Sequence, residues 1–558
     1  MPSFKEPVQE APCSNACPAG IDVPRYVRAI AAGEFAESLA VIREKIPFPS
    51  VCGRVCVHPC EKDCNGNWQD NPIQIRALKE FVAERPGALT KEPPTTRSTG
   101  KSVAVIGSGP AGLTAAYYLA KLGHAVTVFE SKSKSGGMMR WGIPSYDLPE
   151  EILDRDIDNI LGQGVELKLN TRVDNVNDLL NGDYDAAFIA PGLAEGLKLD
   201  IPGAGLKGVM IGVQFLHDIN SGKGVKLGSR VLVLGGGGVA FDAARSAVRL
   251  GAKEVHLACI ESRNSIPARP EVVAEAEQEG VVIHPSLSFC RVEGEDKATG
   301  VECLNLRWMK YDDEGGLHFE AVPGSEHVLK ADTVIFAVGQ GVDLGLVADF
   351  PEIFVTPRTT LLVDEETMAT GHRGVFAGGD AVNGPSSVIA AIDTGRKAAM
   401  AIDKYLGGEG EIDVAMAPPE GEVVQTELQG FPVGARVEVP MVPVEERLKG
   451  FAGVEVGFSE EEAVNEAKRC LRCDLPITVE VENCVSCLTC VMRCTLKYGN
   501  AFSPARSNVK VYPNTEHDNI IEFTDDCDTC GICARYCPHD ALYRGERRLA
   551  EVAEEAKK

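Results

Sequence analysis

Val103-Ala-Val-Ile106, then Gly107-Ser-Gly109-Pro110-Ala111-Gly112, then an Ala- and Leu-rich stretch and a second apolar run, Val126-Thr-Val-Phe129, ending at Glu130: the architecture of this 558-residue chain is read outward from here. A β-branched run leading straight into G-x-G-x-x-G and a helical pattern predicts a strand, a tight turn and a helix. The glycines permit the turn and let the backbone approach a pyrophosphate at the helix N-terminus, while an acid about 20 residues on can bind a ribose hydroxyl. A glycine-rich turn closing a purely structural unit is the competing reading. The acid in register at Glu130 weighs against it, so Gly107, Gly109, Pro110, Ala111, Gly112 and Glu130 are assigned to a dinucleotide.

Two further stretches give this site the character of an FAD site: Gly136-Gly137-Met138-Met-Arg140-Trp-Gly142-Ile143-Pro144 and Gly374-Val-Phe-Ala-Gly-Gly379-Asp380. An Asp after a short strand and two glycines resembles the ribityl-binding Gly-Asp of FAD enzymes. A helix opening at Ser387-Val388 would aim its N-terminal dipole at the flavin ring. Gly137, Met138, Arg140, Ile143, Gly379, Asp380, Ser387 and Val388 complete the predicted flavin site.

A second fingerprint begins with Arg230-Val-Leu-Val-Leu234 and continues Gly235-Gly-Gly237-Gly-Val239-Ala240, a G-x-G-x-x-A variant that binds NAD(P) in the same way. The next strand ends in Cys259-Ile-Glu261-Ser-Arg263. A carboxylate there accepts from the free 2′-hydroxyl of NAD and repels a 2′-phosphate, whereas arginine accommodates the phosphate. Glu261 argues for NAD(H); Arg263 and Arg269 keep NADP(H) as the alternative. Because the flavin stretches bracket residues 230–269, the NAD domain is predicted as an insert, with Asp332–Gly339 among the strands returning to the FAD domain.

The net charge of -25 and a pI near 4.9 disfavour nucleic acid and anionic membrane surfaces. No run approaches the ~18 apolar residues of a membrane span, and no signal segment opens the chain, so a cytoplasmic location is expected. Sixteen of the nineteen cysteines fall at cluster-ligand spacings, the number needed for four [4Fe-4S] centres. Cys484, Cys487, Cys490, Cys494 and Cys527, Cys530, Cys533, Cys537 are two C-x2-C-x2-C-x3-C runs, in which the fourth Cys of each ligates the other cluster. Cys484, Cys487, Cys490 and Cys537 are therefore assigned to one cluster, and Cys527, Cys530, Cys533 and Cys494 to its partner. Zinc and disulfides are the rivals; interleaved runs do not match zinc ribbons, and a reducing compartment disfavours disulfides. Oxygen-sensitive clusters point to anaerobic metabolism.

Cys13-x3-Cys17-Pro18 and Cys52-Gly-Arg-Val-Cys56-Val-His58-Pro-Cys60-Glu-Lys-Asp-Cys64, with the two nucleotide folds behind them, resemble the small subunit of glutamate synthase and its relatives. Those relatives include dihydropyrimidine dehydrogenase and the large subunit of the bifurcating NADH-dependent ferredoxin:NADP oxidoreductase. The resemblance spans about residues 10–475 and implies two [4Fe-4S] clusters in a helical N-terminal domain. In that family an E-A-x-R-C-x-x-C element precedes the C-x3-C-P motif; here it appears at Glu466-Ala-Lys-Arg469-Cys470-Leu-Arg-Cys473. The resemblance thus implies that this segment folds back, Cys470 and Cys473 joining Cys13 and Cys64 around one cluster. Cys17, Cys56 and Cys60 would hold the other. Relatives supply its fourth ligand from L-[QE]-x-F, which here reads Leu78-Lys79-Glu80-Phe81. A protonated lysine cannot ligate iron, so Cys52 is nominated, with Glu80 and a free Cys52 thiol as alternatives. His58 is read as a packing or hydrogen-bonding residue, and Cys259, Cys290 and Cys303 as small buried hydrophobes.

The predicted fold class is multidomain α/β. It comprises an N-terminal helical iron–sulfur domain (1–98), an FAD-binding Rossmann-like domain (99–215 and 330–407) with an inserted NAD-binding Rossmann-like domain (216–329), an extended tether and helix (408–475), and a two-cluster ferredoxin-like domain (476–558). Ser459 and Glu462 have capping-box spacing, and the final EVAEEAKK reads as a frayed charged helix. The C-terminal module, including Tyr498–Val511, resembles electron-transfer subunits of tungsten aldehyde oxidoreductases, which implies docking onto another oxidoreductase subunit or a ferredoxin. The expected function is an NAD(H)-linked flavin and iron–sulfur electron-transfer subunit, with no catalytic side chain assigned, because the chemistry belongs to the cofactors. An electron-bifurcating subunit, a glutamate synthase small subunit and a non-catalytic redox sensor are the alternatives.

Overall fold

The computed structural model describes residues 3–5, 10–69, 71–87, 94–95, 97–312, 316–356, 359–418, 435–498, 502–513 and 519–545. The chain divides into two compact units. One comprises Thr90–Ile412 with Met441–Val456, the other Met1–Leu89, Asp413–Pro440 and Gly457–Lys558.

The first unit is built on two five-stranded parallel sheets. In one, the order is Val375–Ala377, Ala186–Ile189, Ser102–Ile106, Ala125–Phe129, Glu166–Lys168. In the other it is Val281–His284, Glu254–Ala258, Arg230–Leu234, Thr333–Phe336, Val209–Ile211. Strands covered on both faces read as continuous apolar runs, and Val231-Leu-Val-Leu234 is buried at all four positions. Helices Pro110–Lys121 and Gly238–Arg249 start on the fingerprint glycines, with Gly109 and Gly237 as their N-caps. A four-stranded antiparallel sheet, Leu287–Glu293, Gly300–Tyr311, Leu317–Ala321 and His327–Lys330, lies beside the second parallel sheet in sequence.

One expectation is corrected. Thr333–Phe336 does not return to the flavin-side sheet; it pairs in parallel with Arg230–Leu234 and Val209–Ile211. The nucleotide sheet therefore reaches beyond 216–329 at both ends. An apolar run buried at every position announces a central strand but carries no information about which of two similar sheets receives it.

In the second unit, helices Val23–Ala31, Phe35–Arg43, Pro49–Val55 and Ile75–Ala83 pack together. Helix Glu460–Ala467 has the reciprocal capping box between Ser459 and Glu462. Ile477–Val479 is the centre of a three-stranded antiparallel sheet between Leu542–Arg544 and Ser3–Lys5, an N-terminal strand the sequence reading did not identify. The segment read as one tether is divided, since 413–440 belongs to this unit and 441–456 to the other. The terminal EVAEEAKK lies outside the described residues.

Candidate functional site

At the first fingerprint, Gly107 adopts φ +103°, and a Cβ there would meet the Ala190 carbonyl oxygen at 2.2 Å. At Gly112 it would meet the Gly107 carbonyl oxygen at 2.0 Å, so helix and turn pack closer than any side chain allows. Glu130 closes the strand Ala125–Phe129 and is locked over the turn by Ser108 N (3.1 Å), the Ser108 hydroxyl and Lys132 N (2.8 Å). Ser108, absent from the sequence reading, sets that carboxylate's direction; two oxygens still offer lone pairs to a ribose diol. The helix Val388–Tyr405, N-capped by Ser387, crosses Pro110–Lys121 so closely that a Cβ at Gly395 would lie 2.4 Å from the Ala111 carbonyl oxygen. Thr394 of that helix accepts from Gly379 N (2.8 Å) and so fixes the Gly379-Asp380 turn. Burial pushes the Asp380 carboxyl up, while Ser386 Oγ donates to it. Arg140 is buried by Ser135 O, Glu150 and Asp154, and Asn220 donates to the Arg140 and Ile143 carbonyls, which braces the stretch 137–143 that also carries Met138.

The second fingerprint repeats the geometry: Gly235 has φ +137°, and a Cβ would meet Ala337 O at 2.2 Å. No atom would meet a Cβ at Gly237 within 4 Å, which leaves open space over the helix N-terminus that Val239 and Ala240 continue. Glu261 lies against this turn, its Oε2 only 2.7 Å from where a Gly236 Cβ would be. That oxygen is buried and accepts no hydrogen bond of ordinary geometry among the described residues; burial pushes the carboxyl up, against a smaller opposing effect of the adjacent Cys259 thiol. An orphaned acceptor beside a glycine turn is the feature a ribose diol would satisfy. Arg263 is exposed and paired with Glu277 at 2.6 Å.

The cysteines gather as sets. Cys484, Cys487, Cys490 and Cys537 line one cavity together with Val485, Leu488 and His539, with about 310 Å³ of atom-free space, part of it open solvent. Cys533 has Cys530, Cys490 and Cys527 as electrostatic neighbours, and Cys527 has Cys494, so the second ferredoxin-like set also converges. In both loops the same two positions are left-handed, Ser486 (φ 57°) matching Thr529 (φ 52°) and Leu488 (φ 60°) matching Gly531 (φ 78°); Arg472, between Cys470 and Cys473, has φ 49°. Left-handed residues in such loops turn successive N–H groups and thiols toward one anionic centre, as in many iron–sulfur sites. The strain at the non-glycine positions, about 1–3 kcal/mol each, persists where the surroundings over-determine it.

Around Cys13 lie Cys470, Cys473, Cys64 and Cys60, although residues 13 and 473 are far apart in sequence. Asn65 Nδ2 donates to Cys473 Sγ at 3.2 Å. The fold-back rests on Glu466, whose carboxylate accepts from Gln74 N and Val437 N, both at 2.9 Å, and on Arg469, which donates to Asn71 O at 2.9 Å. Cys60 neighbours Cys56 and Cys17; Cys52 is buried on the adjoining helix, and Glu80 is engaged by Arg54 and Arg76. Fully buried Tyr26 lies near Cys60, Cys13 and Cys17, a position the spacing of motifs does not reveal. Among the described residues no three His, Cys, Asp or Glu side chains close on a single metal ion; a cubane binds its four thiolates through separate irons. The donor set is all thiol, which suits iron–sulfur clusters. Burial pushes the Cys470, Cys490 and Cys530 thiols up to about 12, so metal binding displaces protons there. Cys259 and Cys303 are buried with thiols likewise at about 12, and Cys290 is half-buried. His58 donates its backbone N–H to Cys56 Sγ at 3.4 Å, and its ring faces Glu61.

A pyridine nucleotide-disulphide oxidoreductase model matches residues 101–395, more than half of the chain. The chain belongs to this family. This pyridine nucleotide-disulphide oxidoreductase also matches the model for dihydropyrimidine dehydrogenase domain II, 4Fe-4S cluster, over 7–89 and a 4Fe-4S binding domain over 520–543. It is 41% identical over 510 residues to the NADP(+)-dependent formate dehydrogenase subunit beta of Moorella thermoacetica, covering 84% of this chain and 71% of that one. Identity is 32% to the glutamate synthase [NADPH] small chain of Azospirillum brasilense (73% and 88% covered). It is 34% to the NAD-dependent dihydropyrimidine dehydrogenase subunit PreT of Escherichia coli (72% and 92% covered). The chain is an NAD(P)H-dependent FAD and iron–sulfur oxidoreductase with an added C-terminal iron–sulfur module. Among the described residues no helix is long and apolar enough to cross a membrane.

Proposed function

We propose that this chain is the NAD(H)-linked subunit of a larger oxidoreductase, holding FAD and four [4Fe-4S] clusters and exchanging electrons with a low-potential partner subunit or ferredoxin. FAD, when bound, would supply hydride acceptance from the nicotinamide and one-electron release toward the clusters. The observation that carries the reading is the convergence of the cysteines from distant segments, foremost Cys13 with Cys64, Cys470 and Cys473. Gly107, Gly109 and Gly112 would let a flavin pyrophosphate approach closely, Glu130 and Asp380 would orient hydroxyls, and Gly235 to Ala240 would do the same for the nicotinamide nucleotide. Glu261 favours NAD(H), because its buried Oε2 needs a donor and a 2′-phosphate would bring a second anion. Cys487 is exposed and flanked by exposed Val485 and Leu488, which suits the exit of electrons to a docked protein. The names of the formate dehydrogenase and dihydropyrimidine dehydrogenase relatives, both subunits, agree with such a partner.

The test is dye reduction by anaerobically purified protein. NADH-driven reduction of a viologen supports the proposal, and failure with both NADH and NADPH sinks it. A clear preference for NADPH refutes the Glu261 argument alone and is the outcome suggested by the NADP(H) named in two relatives.

A further inference from the structure

Lys79 occupies a place where a positive charge is costly. It lies on helix Ile75–Ala83 and is 3% exposed; burial works against its charge, and the thiols of Cys56, Cys52, Cys60 and Cys17 are the neighbours that favour it. The position is imposed by the backbone. Helix Pro49–Val55 packs on Ile75–Ala83 so tightly that a Cβ at Gly53 would be 2.6 Å from Glu80 Cα, and Arg76 clamps the pair by donating to Gly53 O at 2.7 Å. Cys52 and Lys79 are next in sequence to those two contact residues, on the two helices so packed, and Cys52 is among the thiols that act on Lys79. The carboxylates nearby are engaged by guanidinium groups: Glu61 with Arg436 at 2.9 Å, Glu80 with Arg76 at 3.2 Å, Glu84 with Arg54 at 2.6 Å. A buried ammonium needs a negative counter-charge, and a [4Fe-4S] centre held by thiolates supplies one.

We propose that Lys79 is a fixed positive charge that raises the reduction potential of the cluster held by Cys17, Cys56, Cys60 and a fourth ligand, Cys52. This rests on the cluster assignment above. One-electron reduction adds a negative charge to the cluster, and an adjacent cation favours the more negative form; net charge and hydrogen bonding are recognised determinants of such potentials.

The measurement is an EPR-monitored redox titration of the full chain, with iron and acid-labile sulfide counted on each sample. In Lys79→Met and Lys79→Gln the iron count should stay at the wild-type value while one cluster signal moves to lower potential. The expected size is about a tenfold fall in its reduced-to-oxidised ratio at fixed potential, which is about 59 mV for a one-electron couple. Lys79→Arg, which keeps the charge, should titrate close to wild type. Unchanged potentials at full iron content in both neutral variants overturn the proposal. So does loss of about four irons in Lys79→Met and Lys79→Gln with Lys79→Arg intact, because Lys79 would then be needed for assembly and not for tuning. Wild-type protein carrying no acid-labile sulfide would instead defeat the underlying cluster assignment, so the two failures are told apart.

Discussion

Gly112, with its virtual Cβ 2.0 Å from Gly107 O, has no room for a methyl group, because the obstacle is backbone. Gly112→Ala should lower the flavin-to-protein ratio severalfold, read from the flavin absorbance of purified protein, while the iron count stays unchanged. Glu261 makes a different demand. Replacing it with Ser removes the buried acceptor, and a charge-assisted hydrogen bond of about 1.5–3 kcal/mol corresponds to a tenfold or greater loss of kcat/KM for NADH, with a smaller change for NADPH. Asp242, on the helix after the second fingerprint, shows the cost of burial: desolvation, then Asp147, hold its carboxyl up at about 8, with Arg245 and Arg269 opposing and Glu275 adding to the rise. Between pH 4 and 8 the folded form keeps a proton that the unfolded chain releases, so this group's stabilising contribution is lost as pH rises. Asp242→Asn should therefore raise Tm relative to wild type at pH 8 and converge with it near pH 4, in thermal melts across that range.

The elements show where local pattern suffices. The capping box at Ser459 and Glu462 predicts the start of helix Glu460–Ala467, and the structure has both of its reciprocal bonds, because all participants lie within four residues. Ser459→Ala should cost about 1 kcal/mol and loosen the support of Glu466, and hence of the Cys470–Cys473 loop. Faster iron loss to a chelator is the expected reading. Cys470→Ser should remove about four irons per chain, and unchanged iron refutes the fold-back ligation. By contrast, Ser3–Lys5 is too short to carry a periodic signal, and its pairing partner Ile477–Val479 lies at the far end of the sequence. Thr333–Phe336 is ambiguous in sequence for a related reason, since two parallel sheets present the same apolar demand.

At the scale of the molecule, sixteen clustered cysteines predict about sixteen irons and sixteen labile sulfides per chain in anaerobic material; half that content would confine clusters to one of the two cysteine-rich regions. Residues within a turn or a strand of one another determined a great deal by themselves. Glycine spacing specified two nucleotide turns, and C-x2-C-x2-C-x3-C specified thiolate chemistry, since these depend on backbone reach over a few residues. Only the tertiary structure decided which sheet receives Thr333–Phe336, that Ser108 orients Glu130, and that Lys79 lies among Cys17, Cys52, Cys56 and Cys60. Those outcomes depend on burial and counter-charge supplied by segments remote along the chain, and such contacts are settled when whole surfaces pack, leaving no mark on local spacing.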